Sequence, residues 1–184
     1  MVPLNEPPTA AKTADSQAVW QLGLRFGVGA GVLCALWLLF LQVSGNNPLG
    51  PKQLLGELCV PLAAVGGQWL LRRKLAPARL GLGRSVGVGM LVILLAAPVA
   101  AVSAWQLART VGEPLLVLNR AEQLEIIRAE QALRPKEKRS RQFEEYELQQ
   151  VNALSASRLA RGTFFYVLTL GMLGAVPAGI FLRK

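Results

Sequence analysis

The sequence predicts an all-α protein, a four-helix transmembrane bundle with a polar extramembrane helical insert between the third and fourth spans. Three observations lead to this prediction. Hydrophobic residues make up 52% of the 184-residue chain, and they are gathered into four long runs of the kind that cross a bilayer. A strongly basic turn separates the second and third runs. A charged segment rich in helix-forming residues separates the third and fourth.

The four predicted spans differ in how clearly the sequence defines them. The third and fourth contain no charged residue and are long enough to cross the hydrocarbon layer. The first contains Arg25 about one turn from its start, where a long side chain can reach the headgroups. The second is the weakest, because it must include Glu57 in order to span, and a re-entrant segment is the alternative. The predicted spans are residues 22–43, 53–71, 85–108 and 162–182.

Residues 1–19 are expected to form a disordered tail, followed by a single membrane domain over residues 20–184. The tail is rich in proline and small polar residues and has few side chains to bury. A cleaved signal peptide is the alternative interpretation of the first apolar run, because the run ends in small residues. The length of the run and the lack of net positive charge before it favour a membrane span.

The basic turn predicts the orientation of the protein. Five cationic side chains and no acidic one lie between the second and third spans, and such residues are retained on the cytoplasmic side. Both termini are therefore expected in the cytoplasm and the insert on the opposite side of a bacterial inner membrane. The insert, residues 111–161, has nine cations of its own, but at about 50 residues it approaches the length at which translocation becomes insensitive to charge. The basic turn contains Arg72, Arg73, Lys74, Arg79 and Arg84.

Composition also restricts the chemistry. The chain has no histidine, which excludes a His-ligated zinc site and a Ser-His-Asp triad, and its two cysteines lie in apolar runs. No catalytic, cofactor-binding or metal-binding residue is predicted. Residues 111–161 contribute only +1 to the net charge of +9, and most of the remaining cations flank apolar runs. The expected partner is therefore a bilayer with anionic headgroups and not nucleic acid.

Small residues recur at every fourth position in three of the spans. Such faces allow helices to approach closely in lipid, where the hydrophobic effect cannot bring them together. They predict a compact bundle, with a homo-oligomer or an unidentified membrane partner on any spare face. The positions are Gly23, Gly27 and Gly31 in the first span, Ala96, Ala100, Ala104 and Ala108 in the third, and Gly171, Ala175 and Gly179 in the fourth.

The insert is expected to form two helices with a break near Pro135. We expect a non-enzymatic membrane protein that acts through protein or membrane contacts, with these helices exposed. The alternative is a small transporter or channel subunit, in which Glu57 is the candidate polar site and prolines kink the spans. These prolines are Pro61, Pro98 and Pro177. An enzyme is a more distant alternative, because no acid–base pair or metal set lies at one interface.

Four segments carry a resemblance to a known family. They are RFGVGAGVL (25–33), LLRRKLAPARLGLGRSVGVGML (70–91), the polar helical segment and GAVPAGIFLRK (174–184). The chain resembles a family of small Bacteroidota inner-membrane proteins known as domain of unknown function forty-one ninety-nine. The resemblance covers about residues 21–184. It implies four spans and a basic turn after the second, and it supports counting the second run as a span. It implies no catalytic residue, substrate or cofactor.

Overall fold

The computed structural model describes residues 8–76, 81–133 and 141–182. In these ranges the chain forms seven α-helices and no β-strand. Four segments are long and apolar enough to cross a membrane, namely Ser16–Val43, Gln53–Leu75, Leu82–Val111 and Ala156–Phe181. The prediction of an all-α bundle with four spans is confirmed. The helices are α1 (Pro8–Val43), α2 (Gln53–Glu57), α3 (Cys59–Leu75), α4 (Leu82–Val111), α5 (Glu113–Leu133), α6 (Arg141–Asn152) and α7 (Ala156–Phe181).

The first helix begins earlier than the sequence suggested. Residues 8–19 were expected to be disordered, but they form the first turns of α1, whereas residues 1–7 lie outside the described ranges. Proline is well suited to the first helical position because its φ is already helical and the amide hydrogen that it lacks would have no partner there. Alanines follow Pro8 at positions 10, 11, 14 and 18, and alanine has the highest helix propensity.

The second span is divided into two helices. The interruption lies at Leu58, three residues before Pro61, whose nitrogen has no hydrogen to donate to the carbonyl of Glu57. Leu58 nevertheless keeps right-handed helical angles (φ −61°, ψ −19°). The chain therefore continues in the same direction from α2 into α3 and does not turn back as a re-entrant loop would.

Helix α4 is the centre of the bundle and packs against α1, α3 and α7. It contributes the largest number of fully buried side chains in the main apolar core, which it forms together with Val60 of α3 and Val167 of α7. Within α4, the side chains of Ala96, Ala100 and Ala104 are each at most 1% exposed. These three alanines therefore face the interior of the bundle and not lipid.

Three of the four glycines of α1 lie directly on α4. A Cβ atom built at any of the three would fall within 2.8 Å of a Cβ on α4, closer than real carbon atoms approach. Because the contacts advance together along both helices, α1 and α4 run in the same direction. The contacts join Gly23 to Leu91, Gly27 to Leu95 and Gly31 to Val99.

The small residues of α7 also face α4, and this pair is antiparallel. A Cβ at Gly171 would lie 2.6 Å from Cγ1 of Ile93, and one at Gly179 would lie 2.8 Å from Cγ2 of Val86. Ala175, between them, has no exposed surface. Two faces of α4 are thus closed by helices whose backbones approach it closely.

Helix α5 closes one end of the bundle. Gly112 has a φ of +74°, a backbone conformation that favours glycine, and it allows the chain to turn sharply out of α4. Leu115 at the start of α5 is buried in a second apolar cluster, which also contains Leu38, Leu49, Ala104 and Ala108. This cluster fixes α5 to the ends of α1 and α4 and to the 44–52 loop.

Candidate functional site

A buried carboxylate lies at the end of the bundle that α5 covers. Glu57, the last residue of α2, is only 3% exposed. Gln53, one turn earlier on the same face of α2, donates hydrogen bonds from Nε2 to Glu57 Oε1 (2.5 Å) and to Thr163 Oγ1 on α7 (2.8 Å). Glu57 Oε2 is buried and has no hydrogen-bond partner among the described residues. One amide group therefore links two spans, while one carboxylate oxygen is left unpaired.

A small cavity lies beside this group. Its volume is about 10 Å³, close to the space needed for one water molecule. Gln53, Glu57 and Thr163 form its polar wall, and Cys34 and Ala100 form part of its apolar wall. The Sγ–H of Cys34 donates to the carbonyl of Gly56 at 3.4 Å, which ties α1 to α2 at this point. The cavity is thus walled by α1, α2, α4 and α7.

A much larger cleft lies on the other side of the same polar residues. It has a volume of about 550 Å³ and lies between α2, α5 and the first turns of α7. This volume is in the range of sites that hold small organic molecules. Gln53, Glu57 and Thr163 line both the cleft and the small cavity, so these three side chains form the partition between the two spaces. Much of the remaining wall is apolar and includes Leu49, Leu54, Ile126, Leu159 and Tyr166.

Hydrogen bonds hold α5 over the 44–52 loop and thereby form the roof of the cleft. Asn119 Nδ2 donates to the carbonyl of Leu49 at 2.7 Å. Asn47 Nδ2 donates to Glu122 Oε2 at 2.5 Å, and Asn47 Oδ1 accepts from the amide of Leu49 at 3.0 Å. Gly50 leaves room for this arrangement, because a Cβ there would overlap the Glu122 carboxylate. These hydrogen bonds attach the roof to the loop.

With this geometry established, the chain can be compared with known proteins. A family model described as "Protein of unknown function (DUF4199)" matches residues 25–184. The chain belongs to the DUF4199 family. Searches of curated proteins and of solved structures found no match. Because the description of the DUF4199 family gives no activity, the chemistry of the site has to be inferred from its residues.

Two tryptophan–arginine pairs lie near the ends of the DUF4199 spans. The guanidinium of Arg73 lies 4.5 Å from the centre of the Trp69 ring, and that of Arg109 lies 4.8 Å from the centre of the Trp105 ring. Each arginine follows its tryptophan by one helical turn, near the carboxyl ends of α3 and α4. Because these helices are antiparallel, the pairs lie at opposite ends of the bundle. Tryptophan and arginine are typical of the two membrane interfaces.

The basic turn lies at the end of the DUF4199 bundle opposite Glu57. Arg72, Arg73 and Lys74 are exposed at the end of α3, and Arg84 is exposed in the first turn of α4. Arg79 lies outside the described residues. The residues that predict orientation and the residues of the candidate site therefore belong to different interfaces.

A second polar group lies nearer the basic turn. Gln68 of α3 has no exposed surface, and Ser85 of α4 is equally buried, with no hydrogen-bond partner for its Oγ among the described residues. Between Glu57 and Gln68, α3 presents Val60 and Ala64 to the core, both with no exposed surface. An apolar layer therefore separates the two polar regions of the bundle.

The sequence pointed to Glu57 but not to the residues that surround it. Thr169, which lies within the predicted fourth span, is exposed, and its hydroxyl donates to the carbonyl of Phe165 in its own helix. Thr163 is the threonine that reaches the site. The i,i+4 spacing of Gln53 and Glu57 predicts that these two side chains lie side by side on a helix. The approach of Thr163 depends on tertiary packing and has no such local pattern. In the described ranges, no group of three His, Cys, Asp or Glu side chains could hold a metal ion.

The hairpin of α5 and α6 leaves several large apolar side chains uncovered. Helix α6 packs on α5, where Gln131 Nε2 donates to Glu147 Oε2 at 3.0 Å and Val151 is buried. Outside the candidate spans, the exposed apolar side chains of the hairpin are Val117, Leu118, Ile126, Leu133, Tyr146 and Leu148.

Proposed function

We propose that this DUF4199 protein is a non-enzymatic integral membrane protein that acts by binding another protein through its α5–α6 hairpin. The observation that carries the proposal is the set of large apolar side chains that the hairpin exposes outside the candidate spans, among them Leu133 at 86% and Tyr146 at 57%. Apolar side chains grouped on a water-facing surface are typical of protein or membrane contact sites.

The charge of α6 favours a protein over the membrane surface as its partner. Helix α6 contains three glutamates and one arginine, and this excess of negative charge opposes attachment to anionic headgroups. Tyrosine is also common at the energetic centres of protein interfaces. Tyr146 is therefore the contact residue that we expect to matter most.

Photocrosslinking in native membranes tests the hairpin proposal. A benzoyl-phenylalanine at position 146 should form an adduct with a protein of one defined mass, and Gln149→Arg, at an exposed position one turn further along the same side of α6, should abolish that adduct while leaving membrane insertion intact. The matched control places the same group at Phe165, which is 64% exposed within a candidate span and should react with lipid. If position 146 gives only lipid adducts, or if Gln149→Arg has no effect, the proposed contact with a protein through this face is wrong.

A transporter or channel subunit is the second candidate, and the buried Glu57 with its cleft is the observation that favours it. The apolar layer at Val60 and Ala64 separates this site from Gln68, so transport would require a second conformation. Glu57→Gln should then change solute flux in reconstituted vesicles. Equal flux in the variant and the wild type would argue against this candidate.

We further propose that the protein lies in a bacterial inner membrane with both termini and the basic turn in the cytoplasm. The exposure of Arg72, Arg73 and Lys74 at one end supports this orientation, because clustered cations are attracted to the anionic cytoplasmic leaflet. The α5–α6 hairpin and the Glu57 cleft would then face the periplasmic side.

A further inference from the structure

We propose that the cleft beside Glu57 binds a primary ammonium group carried on an apolar body. The inference does not depend on the hairpin contact proposed above, because Ile126 is the one side chain named in both arguments. It concerns the large cleft and the polar partition that separates it from the small cavity, formed by Gln53, Glu57 and Thr163.

The polar partition is suited to the ammonium head. A buried carboxylate oxygen without a partner is unfavourable, and Glu57 Oε2 is such an atom. A primary ammonium has three hydrogens to donate and no acceptor. This wall offers it the unpaired Glu57 Oε2 and the Thr163 hydroxyl oxygen as acceptors, while the Gln53 amide donates from Nε2 to both side chains and positions them. Because Glu57 and Thr163 line the cleft, the ammonium group approaches these oxygens from the cleft side of the partition.

The cleft is suited to the apolar body. Its volume of about 550 Å³ exceeds what an ammonium group needs, and Leu54, Ile126, Leu159 and Tyr166 contribute to its wall. An apolar group bound there would be removed from water, which is the main favourable contribution in sites of this kind. The polar partition and the apolar wall of the cleft thus match a molecule with a small cationic head and a larger apolar part.

The other charged groups of the cleft do not oppose a cation. Glu130 is a second carboxylate in its wall, and Arg158 is the cation there. The guanidinium of Arg158 donates to Gln150 Oε1 at 2.7 Å and is therefore directed towards α6. A quaternary ammonium is expected to bind poorly, because it has no N–H to donate to Glu57.

A molecule of this chemistry could come from two sources. The cleft lies at the end of the spans, where lipid headgroups are found, so an aminophospholipid such as phosphatidylethanolamine could place its ammonium on Glu57. A soluble amine with an aromatic or aliphatic body is the other source. The shared chemistry is the primary ammonium on an apolar body, and the lipid composition of the test membrane distinguishes the sources.

Calorimetric titration of the whole protein in phosphatidylcholine nanodiscs tests the proposal. Phenethylamine is the probe, 2-phenylethanol is its neutral counterpart, and trimethyl-phenethylammonium is its quaternary counterpart. Phenethylamine should bind at least about tenfold more tightly than either, because each lacks the charge-assisted N–H donors. Equal binding of the alcohol, or no detectable binding of the amine at millimolar concentration, would overturn the proposal.

Two variants test the location of the site. Glu57→Gln keeps the shape of the side chain but removes its charge and should weaken phenethylamine binding about tenfold or more. Gly162→Leu should also reduce binding, because Gly162 lines the cleft and a Cβ built on it meets no atom within 4 Å. The Cβ of the new side chain therefore displaces no neighbour, and the rest of the leucine takes up volume at the wall of the cleft, which keeps the test valid if Glu57→Gln does not fold.

The matched control for Gly162→Leu is Gly29→Leu. Gly29 is exposed in the first span, and a Cβ built there also meets nothing within 4 Å, so this variant should bind phenethylamine as the wild type does. Undiminished binding in Gly162→Leu would exclude the cleft as the site. Nanodiscs containing phosphatidylethanolamine then identify the source: a weaker apparent affinity for phenethylamine indicates a competing lipid, and an unchanged affinity indicates a soluble amine.

Discussion

Gln68 on α3 donates a hydrogen bond of 2.8 Å from Nε2 to the carbonyl of Ala175 on α7. Neither residue has any exposed surface. Gly89 of α4 completes the contact, since a Cβ built there would overlap Gln68 Nε2 and would lie 2.8 Å from the Cβ of Ala175. Three spans therefore meet at one point, where the side chain of Gln68 fits only because α4 has a glycine at this position.

Gly89→Ala is expected to destabilise the bundle. The added methyl group would have to displace both Gln68 and Ala175, and overpacking of this kind costs about 1–3 kcal/mol. The control is Gly87→Ala in the same helix, where a new Cβ meets nothing within 4 Å. It should leave stability unchanged or raise it slightly. Unfolding of the detergent-solubilised variants by heat or by dodecyl sulfate would measure the difference, and equal stability of the two would show that this contact is loosely packed.

Gly27→Ala should weaken the packing of α1 against α4. A Cβ at Gly27 would lie 2.8 Å from the Cβ of Leu95 and 3.0 Å from the backbone oxygen of Val92. Because one of these atoms belongs to the backbone, the helices must separate, at a cost of about 1–3 kcal/mol. Gly29→Ala is the control, since it lies on the open face of the same helix. Dodecyl sulfate titration followed by circular dichroism would measure the stability of both variants. Equal stability would contradict the proposed role of the glycine face in packing α1 against α4.

The fold could be predicted from the sequence because each span is a local feature. The runs that became α4 and α7 contain no charge and are long enough to span, so neither depends on tertiary contacts for its recognition. The start of α1 lies earlier than the sequence predicts. The prolines and polar residues of the tail indicate disorder, whereas the alanines that follow Pro8 favour a helix. The break at Leu58 follows from Pro61, but its exact place depends on how α2 packs.

The candidate site could be predicted only in part. Glu57 is conspicuous because a charge in an apolar run is costly. Gln53 bonds to Thr163 across 110 positions of the chain, and no local pattern predicts that contact. The cleft depends on α5 folding back over the 44–52 loop, which is set by single hydrogen bonds such as that of Asn119. Contacts of this kind are too specific for composition or periodicity to reveal.

Asn119→Ala should loosen the roof of the cleft. Asn119 has no exposed surface, and its Nδ2 donates to the carbonyl of Leu49 at 2.7 Å. Loss of this bond leaves a buried carbonyl without that donor, which costs about 1–3 kcal/mol. Hydrogen exchange in residues 44–52 should become faster, while exchange in α4 should be little changed. Asn152→Ala is the control because Asn152 is exposed at the end of α6. Unchanged exchange in the loop would mean that other contacts hold the roof.

Single cysteines should report the two ends of the bundle in different compartments. Ser44 and Gln149 are exposed at or beyond the end that α5 covers, whereas Gly83 is exposed beside the basic turn. In a background lacking Cys34 and Cys59, a membrane-impermeant maleimide added to intact spheroplasts should label Ser44→Cys and Gln149→Cys. Gly83→Cys should react only after the membrane is permeabilised, because the proposed orientation places the basic turn in the cytoplasm.

The pattern of labelling separates the fold from its orientation. Reaction of Gly83→Cys alone in intact spheroplasts would reverse the proposed orientation but keep the four spans, since the two ends would still differ. Reaction of all three cysteines would contradict the span count itself, because an even number of crossings between residues 44 and 83 would then be required. Helices α2 and α3 form one continuous path between these positions, and a single crossing is therefore the expected result.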